Sequence, residues 1–209
     1  MKLYRVPDRT TVASRQSKQV RLMDRSAVPV SFVYAADIAA ADSSGPMPAA
    51  RLLRTKNDAA NHLGLPLPSG RVAVFAGREG AKLLQHESDL RDLAVDEELE
   101  INMGESAEVQ VTLRNETVSG GPLQANALPS VQGLTPRSAK VDEVTRVEVS
   151  NAGPAAVQFE LRLRLAEGSR VVRADHAVGR KNGRPLFRFD VPANGSVTLR
   201  FQTQHMAYN

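Results

Sequence analysis

The sequence predicts an all-β protein made of two β-sandwich, immunoglobulin-like units with mostly antiparallel strands. Three observations predict it. Apolar and polar residues alternate with a period of two in run after run, the mark of strands with one buried face. Turn residues separate the runs at short, regular intervals. An aperiodic stretch, 118–137, carries Gly120-Gly121-Pro122, Pro129, Gly133 and Pro136 and divides the chain into 1–117 and 138–209.

In chain order, Leu3 to Val6, Val20 to Met23 and Val28 to Tyr34 read as strands, with Val30, Phe32 and Tyr34 on one face. Residues 36–48 are rich in Ala, Ser, Gly and Pro and read as a loop. Ala49 to Leu63 places Leu52, Lys56, Ala59, Ala60 and Leu63 at helical spacing before Gly64, and Ala81 to Leu93 does the same with Leu83, Leu84, Glu87, Leu90 and Leu93. Periodicity alone reads these two windows as short helices. Between them, two prolines stiffen Leu65-Pro66-Leu67-Pro68 as a lead-in to a strand with Val72, Val74 and Phe75, closed by a turn at Gly77-Arg78-Glu79-Gly80. Leu99 and Ile101 fit a strand before Gly104, and Val109, Val111 and Leu113 fit another.

The C-terminal unit is the most regular. Thr145, Val147 and Val149 alternate with Arg146 and Glu148. Val157, Phe159, Leu161, Leu163 and Leu165 alternate with Gln158, Glu160, Arg162 and Arg164. Phe187, Phe189 and Val191 follow the same rule, as do Val197, Leu199 and Phe201, with a shorter strand at Val171-Val172. Asn151 to Pro154, Glu167 to Ser169, Lys181 to Gly183 and Ala193 to Gly195 supply the turns.

Composition narrows the function classes. The chain has 209 residues, 42% hydrophobic and 24% charged, which is enough to bury a core without covalent staples. It lacks cysteine, so disulfides, thiol catalysis and thiolate metal sites are excluded. No run of 18 apolar residues exists, so no transmembrane helix is expected, and the first residues carry no signal peptide. Charge is uneven: residues 1–136 hold 15 basic and 16 acidic side chains, and residues 137–209 hold 12 basic and 7 acidic. Arginine supplies 21 of the 27 cations, and arginine forks onto carboxylates and phosphates.

No catalytic, metal or cofactor site stands out. The four histidines make no His pair at helical spacing, and His86 with Asp89 and Asp175 with His176 are the only tight His–carboxylate groups. They would be the acid/base residues if the chain were a hydrolase. No Gly-x-Ser-x-Gly elbow and no phosphate loop are present. Asn115-Glu116-Thr117 and Asn194-Gly195-Ser196 match a glycosylation sequon but read as turn chemistry. The remaining signal is basic. Alternation places Arg162, Arg164, Arg188 and Arg200 outward, joined by Arg180, Lys181 and Arg184 on a hairpin. If their strands are neighbours, they form a stripe for a polyanion. Single-strand nucleic-acid binders also put aromatics on that face, whereas Phe159, Phe187, Phe189 and Phe201 face inward, so nucleic acid is not expected.

Leu65-Pro66-Leu67-Pro68-Ser69-Gly70-Arg71-Val72-Ala73-Val74-Phe75 resembles the PLPAG-x-V-x-V-Y signature of a bacterial, mucoidy-inhibitor-like family of unknown function. Ser17-Lys18-Gln19-Val20, Arg54-Thr55-Lys56-Asn57, Glu97 to Gly104, Glu108 to Asn115, Val147 to Asn151 and Val191 to Leu199 resemble further pieces in the same order. The resemblance implies a C-terminal all-β region of a periplasmic or cell-envelope protein, with strands where periodicity reads helices. It supplies no catalytic residues. Leu123 to Gln132 departs from the pattern. The expectation is therefore a non-enzymatic binding or scaffolding module with a protein partner. The alternatives are a binder of an anionic glycan or lipid headgroup, and a hydrolase.

Overall fold

The structure is a computed structural model that describes residues 9–40, 43–78, 80–119 and 138–208. It is all-β and mostly antiparallel. The strands are β1 (Ser31–Ala39), β2 (Ser44–Lys56), β3 (Gly70–Arg78), β4 (Ala81–Leu90), β5 (Glu98–Ser119), β6 (Ser138–Asn151), β7 (Val157–Arg164), β8 (Arg170–Ala174), β9 (Val178–Lys181), β10 (Arg184–Val191) and β11 (Gly195–Tyr208). Nine of them form one sheet, in the order β8-β11-β6-β5-β2-β1-β7-β10-β9, and β3 and β4 form a separate hairpin. The pairing of β1 with β7 is parallel.

One core replaces the two expected. Strands from both sides of 118–137 share the nine-stranded sheet. Ile38, Ala49, Val109, Val111 and Leu113 pack in the same cluster as Val147, Val149, Phe159, Leu161, Phe187, Leu199 and Phe201. The sheet curls back on itself, so that Phe187 of β10 and Phe201 of β11, six places apart in strand order, stack with ring centroids 5.6 Å apart. From residue 120 on, the Gly/Pro-rich stretch lies outside the described residues. Its composition resembles a linker, yet β5 and β6, on either side of it, pair directly with each other.

Of the two windows with helical spacing, 81–93 is mostly strand and 49–63 is strand as far as Lys56. In β4, the pairing with β3 shifts between Val74 and Phe75, which partner His86 and Leu84. Gln85 is thereby an extra residue, a bulge that turns the strand period of two into a spacing of three. Leu84 and Glu87 then share a face, as they would on a helix. In β2, shifts at Pro48/Ala50 and Ala50/Leu52 move the buried positions from Ala49 to Leu52 in the same way. A short 3-10 helix, Ala59–Asn61, follows β2.

Other local expectations shift too. The loop expected at 36–48 is largely strand, belonging to β1 and β2. Val20 to Met23 forms no strand among the described residues, and Leu22 is 40% exposed. Leu3 to Val6 lies outside the described residues. Gly104, with φ +88, lies inside β5 rather than after it.

Buried polar side chains anchor the connections. The Asn57 side chain, fully buried, donates to the carbonyls of Leu65 and Ala94 and accepts from the amide of Gly64. Leu67 and Leu93 exchange backbone hydrogen bonds of 2.9 Å each, which fixes the Leu-Pro-Leu-Pro segment as the lead-in to β3. Asn151 does the same work elsewhere, donating to Ala155 and Pro192 carbonyls and accepting from Gly153. Each amide thus fills its two donors and one acceptor, which burial demands.

A shared core makes a definite prediction. Residues 1–117 and 138–209 expressed separately will each lack a cooperative unfolding transition, and mixing them will restore one. Two independent thermal transitions from the separate pieces would contradict the single core.

Candidate functional site

The outward basic stripe divides into three places. On β7, Glu160 shares a face with Arg162 and Arg164, two and four residues away. Small or aliphatic side chains on the neighbouring strand, Val33 and Ala35 of β1, leave room above them. Across that gap Arg54 of β2 reaches Glu160, donating from Nη1 to Oε1 at 2.9 Å and from Nη2 to Oε2 at 2.7 Å. Arg162 donates to Glu160 at 2.7 Å and Arg188 of β10 at 2.8 Å. Arg54 and Arg162 also reach Glu100 of β5, at 2.5 and 2.8 Å. Lys181 of β9 closes the group, 2.7 Å from Glu100 and bonded to Glu98.

This contact measures the curl of the sheet. β5 and β9 stand five places apart in strand order. A flat sheet would separate them by about 24 Å at about 4.8 Å per strand. β5 contributes to both faces: Val109, Val111 and Leu113 to the core, Glu98 and Glu100 to the charged cluster.

The cluster is largely self-neutralising. Arg54, Arg162, Arg188 and Lys181 face Glu98, Glu100 and Glu160. The Glu160 side chain is 2% exposed and that of Arg188 60%. Burial alone would push the Glu160 carboxyl up, but hydrogen bonds from Arg54, Arg162 and Arg188 outweigh it and hold it well below the ordinary 4.5. Burial likewise opposes the ionised form of Glu100, and Lys181, Arg162 and Arg54 hold it below its ordinary value. Sequence reasoning placed Glu160 among outward residues without a role. The available signal was its position two residues from Arg162 on a strand facing outward.

Arg200 lies in a second place, on β11, where it pairs with Glu116 of β5 at 2.9 Å. Arg164, Arg180 and Arg184 come together in a third, with Arg170, which sequence reasoning missed. They line an open pocket of ≈ 540 Å³ with Leu163, Leu165, Val171, Val178 and Gly179. It sits at the seam of the curled sheet, because β8 and β9 are its two edge strands. No Asp or Glu lines it. Arg164, Arg170 and Arg180 form no ion pair among the described residues. Arg184 has one loose contact, 3.8 Å from Asp37, with both side chains half exposed. Arg170 donates to Gln204 and Arg180 to the Gly183 carbonyl. Such contacts orient a guanidinium without cancelling its charge.

The histidine groups are arranged differently. His86 and Asp89 lie on opposite faces of β4, an odd number of residues apart past the bulge. His176 Nδ1 is 2.8 Å from Asp175 Oδ1, but the other Asp175 oxygen accepts the backbone amide of Arg200, and the His176 ring packs 5.3 Å from Phe189. Asn115 lies within β5, its side chain accepting from Thr145, while Asn194 occupies a turn with φ 49. Among the described residues, no group of three or more His, Asp or Glu side chains is placed to hold a metal, and no helix is long and apolar enough to cross a membrane.

Compared with protein-family models, curated proteins and solved structures, the chain matches none.

The buried carboxylate yields a prediction. Glu160→Gln will cost about 3 kcal/mol in urea unfolding at neutral pH, since it strands buried guanidinium groups. Arg188→Ala, on the exposed rim, will cost about 1 kcal/mol or less. Because the Glu160 and Glu100 carboxyls ionise below their ordinary 4.5 when folded, their contribution is complete above that pH. It declines as pH falls below 4.5 toward the lower folded value. The native chain will lose stability steeply in that acid range, and Glu160→Gln will lose less.

Proposed function

We propose that the protein is a non-catalytic binding module that holds an anionic partner in the seam pocket. One observation carries this reading: Arg164, Arg170, Arg180 and Arg184 line a single open pocket that contains no carboxylate. The contrast with the Glu160 cluster strengthens it. There, cations are matched by acids on neighbouring strands; here only Arg184 has an acid near it, Asp37 at 3.8 Å. Four guanidinium groups held close together repel one another, a cost that an anionic ligand relieves. The likeness of Leu65 to Phe75 to the mucoidy-inhibitor-like signature supports a setting in the bacterial cell envelope, where such a module would scaffold a larger assembly.

Titration with a sulfated glycan and with polyglutamate at low salt tests the reading. Binding of at least one is expected, weakening steeply as salt rises. The double variant Arg164→Glu, Arg180→Glu will weaken it at least tenfold, while Arg71→Glu on β3 will not. No binding of either at low salt, or equal binding by the double variant, refutes the proposal.

A further inference from the structure

The seam pocket carries more than charge. Its walls are two sheet edges, and an edge strand presents one row of backbone N–H and C=O groups without a strand partner. β9 pairs with β10 on one side only, and β8 with β11 on one side only. Three of the four residues of β9, Val178, Gly179 and Arg180, line the pocket, and Arg170 and Val171 of β8 face them.

Gly179 sharpens the point. Its φ is not in the left-handed region, and an added Cβ would meet only the Leu186 carbonyl oxygen at 3.6 Å, an ordinary contact. Neither the backbone nor the packing of the fold demands glycine there. Glycine inside a strand also marks a place where another backbone approaches closely. On an edge strand with an open flank, that reason remains.

The lining distinguishes between ligand classes. The apolar part is aliphatic, namely Leu163, Leu165, Val171 and Val178, and no aromatic ring is present to carry a sugar. Val178 is 47% exposed. A strand laid along β9 would turn alternate side chains to opposite sides, about 6.6 Å apart on each. One set meets Arg164, Arg170 and Arg184; the other meets the aliphatic surface, where Arg180 shares a face with Val178.

We infer that the seam receives an extended acidic segment of a partner protein, which adds a strand to the free edge of β9. Its carboxylates pair with Arg164, Arg170 and Arg184, and its backbone pairs with β9 beside Gly179. The inference rests on the anionic-partner reading and names its ligand.

The test uses the full chain and the peptide acetyl-Glu-Val-Glu-Val-Glu-amide, followed by isothermal titration. A second peptide carries an N-methyl group on every residue, which keeps every charge and removes the strand-pairing donors of both flanks. The parent peptide is expected to bind, and the N-methylated one at least tenfold more weakly. Gly179→Val, whose added Cβ meets only the Leu186 carbonyl oxygen at 3.6 Å, is expected to lose the peptide while keeping its sulfated-glycan binding and its thermal midpoint. Equal binding of the two peptides overturns strand addition and leaves the anionic reading intact. A glycan that binds while the parent peptide does not also overturns it, in favour of a saccharide ligand. If neither binds at low salt, both readings fail, and the arginines only guard the sheet edges against self-association.

Discussion

A carboxylate as buried as Glu160 stays ionised only if donors surround it, and the fold is arranged to bring them. Arg54 comes from β2, Arg162 from β7 itself and Arg188 from β10, with Lys181 of β9 and Glu98 and Glu100 of β5 around them. These residues meet only if β5 and β9 approach each other over one face while the phenylalanines of β10 and β11 stack on the other. The bulged pairing of β2 with β5 makes both possible, because a bulge increases twist and bends the strand that carries it. Buried ion pairs of this kind add little to stability compared with apolar packing. Here they define which strands lie over which. They also pair Arg162, Lys181 and Arg188 with carboxylates, which the seam arginines largely lack.

Much of this was legible from alternation alone. Val109, Val111, Leu113, Val147, Val149, Phe159, Leu161, Phe187, Leu199 and Phe201 face the core as a period of two requires. The β3 strand and the turn after it followed from Val72, Val74 and Phe75 and the glycines beyond them, but not its partner β4, which periodicity read as a helix. What the sequence concealed has physical reasons. Bulges at Gln85 and within β2 change the spacing of same-face residues and imitate a helix. The number of cores depends on strand order, and period-two patterning says nothing about which strands are neighbours.

The site was half visible for the same reason. Local alternation correctly turned Arg162, Arg164 and Arg188 outward. It could not say that Glu100, some sixty residues earlier, would be folded onto Arg162, or Glu98 onto Lys181, because those contacts belong to the curl of the sheet. Nor could it single out Arg170, whose neighbours Val171 and Val172 give only a short strand. The Asn57 and Asn151 amides show the reverse case. Each stands at the end of a strand where the chain must turn, and each satisfies backbone groups that a turn would otherwise leave unpaired.

The parallel contact between β1 and β7 has a consequence for how the chain comes into being. Tyr34 lies beside Phe159, so 125 residues separate partners that touch. At about 5–20 residues per second, a ribosome needs on the order of ten seconds to deliver the second after the first. Through that interval the nascent polypeptide displays Val33 to Ile38 along an unoccupied flank, open to any passing extended segment. Until β7 arrives, that flank is the part of this chain that a chaperone would have to cover during translation.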